Sequence, residues 1–156
     1  MLFRSNKKIY YKKILNLLIN IKNIKTKCQK TFLKTNYKVP DYSNKKLLDE
    51  SNLFLDWYLP KYVKRGKSRI LKIKFNKIFK KLLKNIYYKN KVFVHRDFHI
   101  SNIMITKKGL GVIDSQDAVY GNIAYDLASL IDDVRFKTDV KIKKYIFDEF
   151  IKKNSF

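Results

Sequence analysis

Two residues five positions apart, Asp97 and Asn102, share the segment HRDFHISN (95–102), and a further aspartate, Asp114, ends the next β-branched run. Magnesium takes hard oxygen ligands and is commonly held by one or two protein carboxylates together with phosphates. Asn102 and Asp114 have that character, which leaves Asp97 to face an attacking hydroxyl and orient it or accept its proton. The three residues suit phosphoryl transfer, in which positioning and charge stabilisation supply most of the catalysis.

The flanking pattern positions them. Lys91–Val94 (KVFV) and Ile103–Thr106 (IMIT) read as strands, Lys107-Lys108-Gly109 as a tight turn, and Leu110–Asp114 (LGVID) as a third strand. Asp97 and Asn102 then share the first loop, and Asp114 lies at the mouth of the hairpin closed by Gly109. Elsewhere the spacing is helical. Tyr11, Ile14, Leu15, Leu18 and Ile21 predict a core-facing helix, and a second runs from about Ser43, a plausible cap after Pro40, to Leu59. Leu71, Phe75, Ile78, Phe79, Leu82 and Ile86 predict a third, behind a Lys-rich loop around Tyr62 to Arg69. Ala124–Val134 and Val140–Lys152 complete the set.

HRDxxxxN followed by a strand-terminal aspartate resembles the catalytic and metal loops of the protein-kinase-like superfamily. HRDFHISNIMI and GVIDSQDAVYGNIAYDLASLIDD look more specifically like its aminoglycoside phosphotransferase and choline kinase branch. Within that branch they are most similar to bacterial kinases of N-acetylmuramate and N-acetylglucosamine, with YSNKKLLDESNLFLDWYLPKY matching weakly upstream. The resemblance implies ATP and Mg2+, with Asp97 as catalytic base and Asn102 and Asp114 as metal ligands. It also implies Met104 and Ile113 under the adenine, His95 bracing the loop, and Asp126 supporting the loop's backbone from a helix start. Asp117, His99 and Glu50 would lie toward the acceptor. The implied fold is α+β: a mainly helical C-terminal kinase lobe with a small catalytic hairpin, its core at 91–135, and residues 1–156 a partial phosphotransferase domain.

Each of these residues also has a plainer reading. An Asp or Asn beside a strand often satisfies its own turn backbone. Glu50 shares a helical face with Leu47 and Phe54, where a carboxylate is costly without a partner or ligand, and a lysine partner or solvent would serve as well as a sugar. His95 and His99 stand four apart as in HExxH zinc sites, but Arg96 occupies the Glu position, the flanks read as strands, and the sequence holds no third histidine.

The net charge of +23, with Tyr and Phe among the lysines, raises nucleic-acid binding as an alternative. Its distribution argues against it. Residues 91–135 carry five basic and six acidic side chains, net −1, while 1–90 carry +21 and 136–156 carry +3. The basic residues are 31 Lys and only 5 Arg, whereas bidentate and stacked nucleic-acid contacts draw on Arg. A solvated, compositionally biased surface accounts for the charge, and it favours anionic partners, phosphates included.

At 156 residues the chain has the length of one domain, with 46% hydrophobic residues to build a core. Cys28 is the only cysteine, so no internal disulfide can form and a reducing, cytoplasmic setting is expected. Ile14–Ile21 is too short to span a bilayer. None of Gly66, Gly109, Gly111 and Gly121 forms a GxGxxG phosphate loop, and no strand lysine stands in a VxIK-like context. The nucleotide-gripping N-terminal lobe is therefore expected to be missing or separately encoded. Ser115 stands where an aromatic residue usually follows the metal aspartate, and Asn122 where GP is usual. The leading expectation is a kinase of a small-molecule hydroxyl, an amino sugar by resemblance; the alternatives are an inactive lobe that binds a ligand or partner, and a nucleic-acid-binding module.

Overall fold

Tyr11, Ile14, Leu15, Leu18 and Ile21 are all buried on one side of helix α1 (Lys7–Lys22), as their three- and four-residue spacing predicts. The structure is a computed structural model that describes residues 7–25, 28–30, 33–86 and 91–154. After α1 come strands β1 (Cys28–Lys30) and β2 (Asn36–Lys38), helix α2 (Asn44–Leu53), a π-helical turn (Phe54–Tyr58), α3 (Leu59–Tyr62) and α4 (Arg65–Lys84). Then follow β3 (Lys91–Val94), a 3-10 turn (Ile100–Asn102), β4 (Ile103–Thr106), β5 (Gly109–Val112), β6 (Val119–Asn122), α5 (Ala124–Ile131) and α6 (Val140–Asn154). The architecture is mixed α+β, mostly helical, with small antiparallel sheets. Among the described residues no helix is long and apolar enough to cross a membrane.

The chain divides into two compact units, one formed by residues 1–40 and 90–156, the other by 41–89. In the first, α1 packs on α6, and the buried side chains of both join Phe98, Leu127 and Leu130 in one apolar cluster. Strands β4 and β5 form an antiparallel hairpin with Thr106 opposite Gly109, and Gly109 takes φ +122°, a conformation essentially reserved for glycine. Strand β3 pairs antiparallel with β6, Lys91 opposite Asn122 and Val94 opposite Val119. The sequence pattern did not reveal β6, because VYGN is short and contains a glycine. The third predicted strand ends sooner than expected, at Val112, since Asp114 sits at φ +70° and cannot continue an extended ladder.

In the second unit, the Ser43 hydroxyl accepts the Lys46 N–H at 3.2 Å and starts α2, as predicted. The single helix expected to Leu59 is instead α2, the π-helical turn and α3, and the segment expected as a loop to Arg69 is helical from Arg65. Phe54 stacks on Tyr58 at 5.3 Å, Tyr58 meets Tyr62 at 4.6 Å, and Phe75 of α4 meets Phe54 edge-on at 5.6 Å. The apolar stripe of α4 is less covered than a core-facing helix requires, with Ile78 51% and Leu82 57% exposed. Helix α5 also stops short of Val134, at Ile131.

Candidate active site

Strand β3 delivers the chain to His95, and a run of backbone hydrogen bonds shapes the loop that follows. The His99 N–H donates to the Asp97 carbonyl at 3.0 Å and the Asn102 N–H to the His99 carbonyl at 3.0 Å, which wind the segment into the 3-10 turn before β4. The side-chain amide of Asn102 donates back to the Asp97 carbonyl at 3.0 Å, closing the loop on itself. The Ile113 N–H then donates to the Asn102 carbonyl at 3.0 Å, so the residue before Asp114 is tied directly to Asn102. The structure thus gathers Asp97, Asn102 and Asp114 at one end of the β4–β5 hairpin.

Donor chemistry at this end suits a small hard cation. Because Asn102 uses its nitrogen toward Asp97, its amide oxygen is turned away from that carbonyl. Asp114 has one carboxylate oxygen held by the Gln116 side-chain amide at 2.7 Å, which leaves the other for a further ligand. Among the described residues no group of three or more His, Cys, Asp or Glu could hold a metal unaided. A cation at Asn102 and Asp114 would complete its shell with water and nucleotide phosphates, the usual arrangement for magnesium.

Asp126 is 2% exposed at the start of α5, and its carboxylate accepts the His95 N–H at 2.7 Å and the Arg96 N–H at 2.9 Å. Burial pushes its pKa up to about 6, opposed by those two amides and aided by the charge of Asp97. Asn122 accepts the Ala124 N–H at 2.8 Å and so caps the approach to α5, a use for the residue that departs from the family pattern.

His95 is 1% exposed, its ring edge-on to Phe98 at 6.3 Å. Burial holds its pKa below the ordinary histidine range, against the Ile113 carbonyl and the charges of Asp97 and Asp114, which favour the protonated form. His99 is also buried, and its Nε2 lies 3.4 Å from the Asn102 amide nitrogen. The two histidines lie in a loop after a strand, not on one helical face. Met104 is 48% and Ile113 50% exposed; Met104 pairs with Gly111, so the pleat puts Ile113, two residues on, on the same side of the hairpin.

Asp117 is exposed, and its carbonyl accepts from the Arg96 guanidinium at 3.4 Å. Glu50 belongs to the other unit, where the Tyr42 hydroxyl donates to it, so this half-buried carboxylate has a protein partner. Sequence reasoning overlooked Gln116 and the guanidinium of Arg96. Gln116 stands two residues after Asp114, a spacing that allows a side chain to reach back and could have flagged it.

The loop from His95 to Asn102 and the turn at Asp114, joined by a hairpin and braced by the buried Asp126, form one cluster within a phosphotransferase-family domain. The chain belongs to the phosphotransferase enzyme family, whose profile matches residues 33–150. It is 39% identical over 95 residues to the N-acetylmuramate/N-acetylglucosamine kinase of Neisseria meningitidis serogroup B, a match covering 61% of this chain and 28% of that protein. Kinases of the same name from Pseudomonas aeruginosa and Pseudomonas putida are each 33% identical over 95 residues, with the same coverage. The chain thus spans 28% of the length of each relative it matches.

Proposed function

We propose that this chain carries the catalytic loop and metal loop of an ATP-dependent kinase that phosphorylates a hydroxyl of an amino sugar, of the N-acetylmuramate and N-acetylglucosamine class. The reading is supported by the hydrogen bonds that tie Asp97 to Asn102 and Asn102 to Ile113, next to Asp114. The acceptor class is supported by the activity named for the relatives. Residues 91–135 form the catalytic core of this partial domain, the C-terminal lobe of a kinase-like fold.

In this proposal Asn102 and Asp114 would hold magnesium, which would supply charge to offset the phosphates. Asp97 orients the sugar hydroxyl and takes its proton as the oxygen attacks the γ-phosphorus of ATP, whose bond to the bridging oxygen breaks to release ADP. Gln116 fixes the Asp114 carboxylate through one oxygen, so that the other would be presented to the cation. Met104 and Ile113 offer an apolar surface to the adenine, while His99 and Asp117 are assigned to the acceptor; Glu50 is engaged by Tyr42 within its own unit. His95 and Asp126 hold the loop's shape without touching the reacting atoms.

The test is transfer of labelled phosphate from ATP to N-acetylglucosamine and N-acetylmuramate by the chain, with Asp97→Asn as control. Transfer that disappears in Asp97→Asn supports the proposal. Saturable binding of magnesium-ATP without transfer to either sugar would instead point to a lobe that binds but does not catalyse.

A further inference from the structure

Helix α4 starts without a cap. Lys64 precedes it at φ −54° and ψ 143° with no side-chain hydrogen bond to the first turn, and that turn has no acidic residue. First-turn amides lack intrahelical partners and carry the positive end of the helix dipole. Arg65, Ser68, Arg69 and Lys72 recur at helical spacing on one side of this end, and with Pro60 and Val63 they line an open groove of about 650 Å³.

Two further observations point to a ligand. Ser68 is 6% exposed and lines the groove, yet its hydroxyl makes no hydrogen bond among the described residues. A helical serine commonly returns its hydroxyl to the carbonyl four residues earlier, as Ser51 does to Leu47 at 2.8 Å. At Ser68 only the backbone N–H engages that carbonyl, on Lys64 at 2.9 Å. Lys72 is paired with Asp56 at 2.8 Å, but among the described residues neither Arg65 nor Arg69 has a carboxylate partner.

We propose that this groove binds a small organic phosphate. The guanidinium groups of Arg65 and Arg69, the Ser68 hydroxyl and the free amides of α4 receive the phosphoryl oxygens, and the ligand's apolar portion lies on Pro60 and Val63. Guanidinium forks match phosphate geometry, and an uncapped helix start is a natural anion site. The site lies wholly within residues 41–89 and does not depend on the phosphotransferase reading.

The general attraction of a +23 chain for any anion is the competing explanation, and charge position separates the two. Phenyl phosphate is titrated calorimetrically into the full chain at physiological ionic strength, where long-range attraction is screened. Expected is saturable binding that weakens at least about tenfold in Arg65→Gln/Arg69→Gln and roughly threefold or more in Ser68→Ala, with circular dichroism unchanged. Lys74→Gln/Lys81→Gln removes two charges from the exposed opposite side of α4 and should leave the affinity within about twofold. Equal weakening in the two double variants, wild-type affinity in a folded Arg65→Gln/Arg69→Gln chain, or binding that never saturates would each overturn the proposal.

Discussion

The carboxylate of Asp126 accepts the backbone N–H of Arg96 at 2.9 Å, and Arg96 is held there at φ +76°. A left-handed backbone at a non-glycine residue costs about 1–3 kcal/mol and persists only where its surroundings impose it. Asp126 imposes it by fixing two consecutive amides, those of His95 and Arg96, immediately before Asp97. Asp126→Asn keeps the shape but turns an amide donor toward one of those N–H groups. The expected cost is about 1–3 kcal/mol, read from urea denaturation, with a changed amide resonance at Arg96. Unchanged stability and an unmoved resonance would refute the role.

The same carboxylate makes a signed pH prediction. Burial raises its pKa from 3.8 to about 6, so between those values the folded state holds the proton more tightly than the unfolded chain. Stability contributed by this group is therefore fully present below the lower value and is lost as pH rises through the upper one. The stability difference between wild type and Asp126→Asn should shrink as pH is raised from about 4 to about 7. A difference that widens over this interval would contradict the assignment.

Gly109 isolates backbone strain from packing. A Cβ added there would meet nothing within 4 Å, but φ is +122°. Gly109→Ala should then destabilise by about 1–3 kcal/mol through conformation alone, without a cavity or clash. Thermal unfolding measures the loss. If instead Gly109→Ala is neutral while the Thr106 hydroxyl still donates to the carbonyl of residue 109, now 2.9 Å away, the turn does not require this conformation.

How much was legible in the sequence follows from which interactions are local. Helix α1 was read to its buried residues because a solitary apolar face over a core leaves a clean 3.6-residue period. The loop from His95 to Asn102 and the turn at Gly109 were legible from residue types and order. Strand β6 was not, because its partner β3 lies 25 residues earlier even at the nearest pairing, Val94 with Val119. The helical start at Arg65 was hidden by its lysines and a glycine, and by the lack of any capping side chain. The proposed roles of Asp97, Asn102 and Asp114 came from motif order; the hydrogen bonds that gather them are largely backbone, which side-chain identity does not encode.

The division of labour between Asp97 and Asp114 can be separated kinetically. Asp97 faces no metal in the proposed mechanism, so Asp97→Asn should lower kcat by about 10²–10⁴ while magnesium-ATP affinity stays nearly unchanged. Asp114 is proposed to hold the cation, and its second oxygen is already committed to Gln116. Asp114→Ala should therefore weaken the metal-nucleotide complex itself, and added magnesium should partly restore turnover. Gln116→Ala should show a milder form of the same metal dependence, since the carboxylate remains but is no longer oriented. Magnesium titrations of nucleotide binding and of turnover distinguish these outcomes. Equal loss of binding in Asp97→Asn and Asp114→Ala would mean that both carboxylates serve the metal, and the proton would need another acceptor.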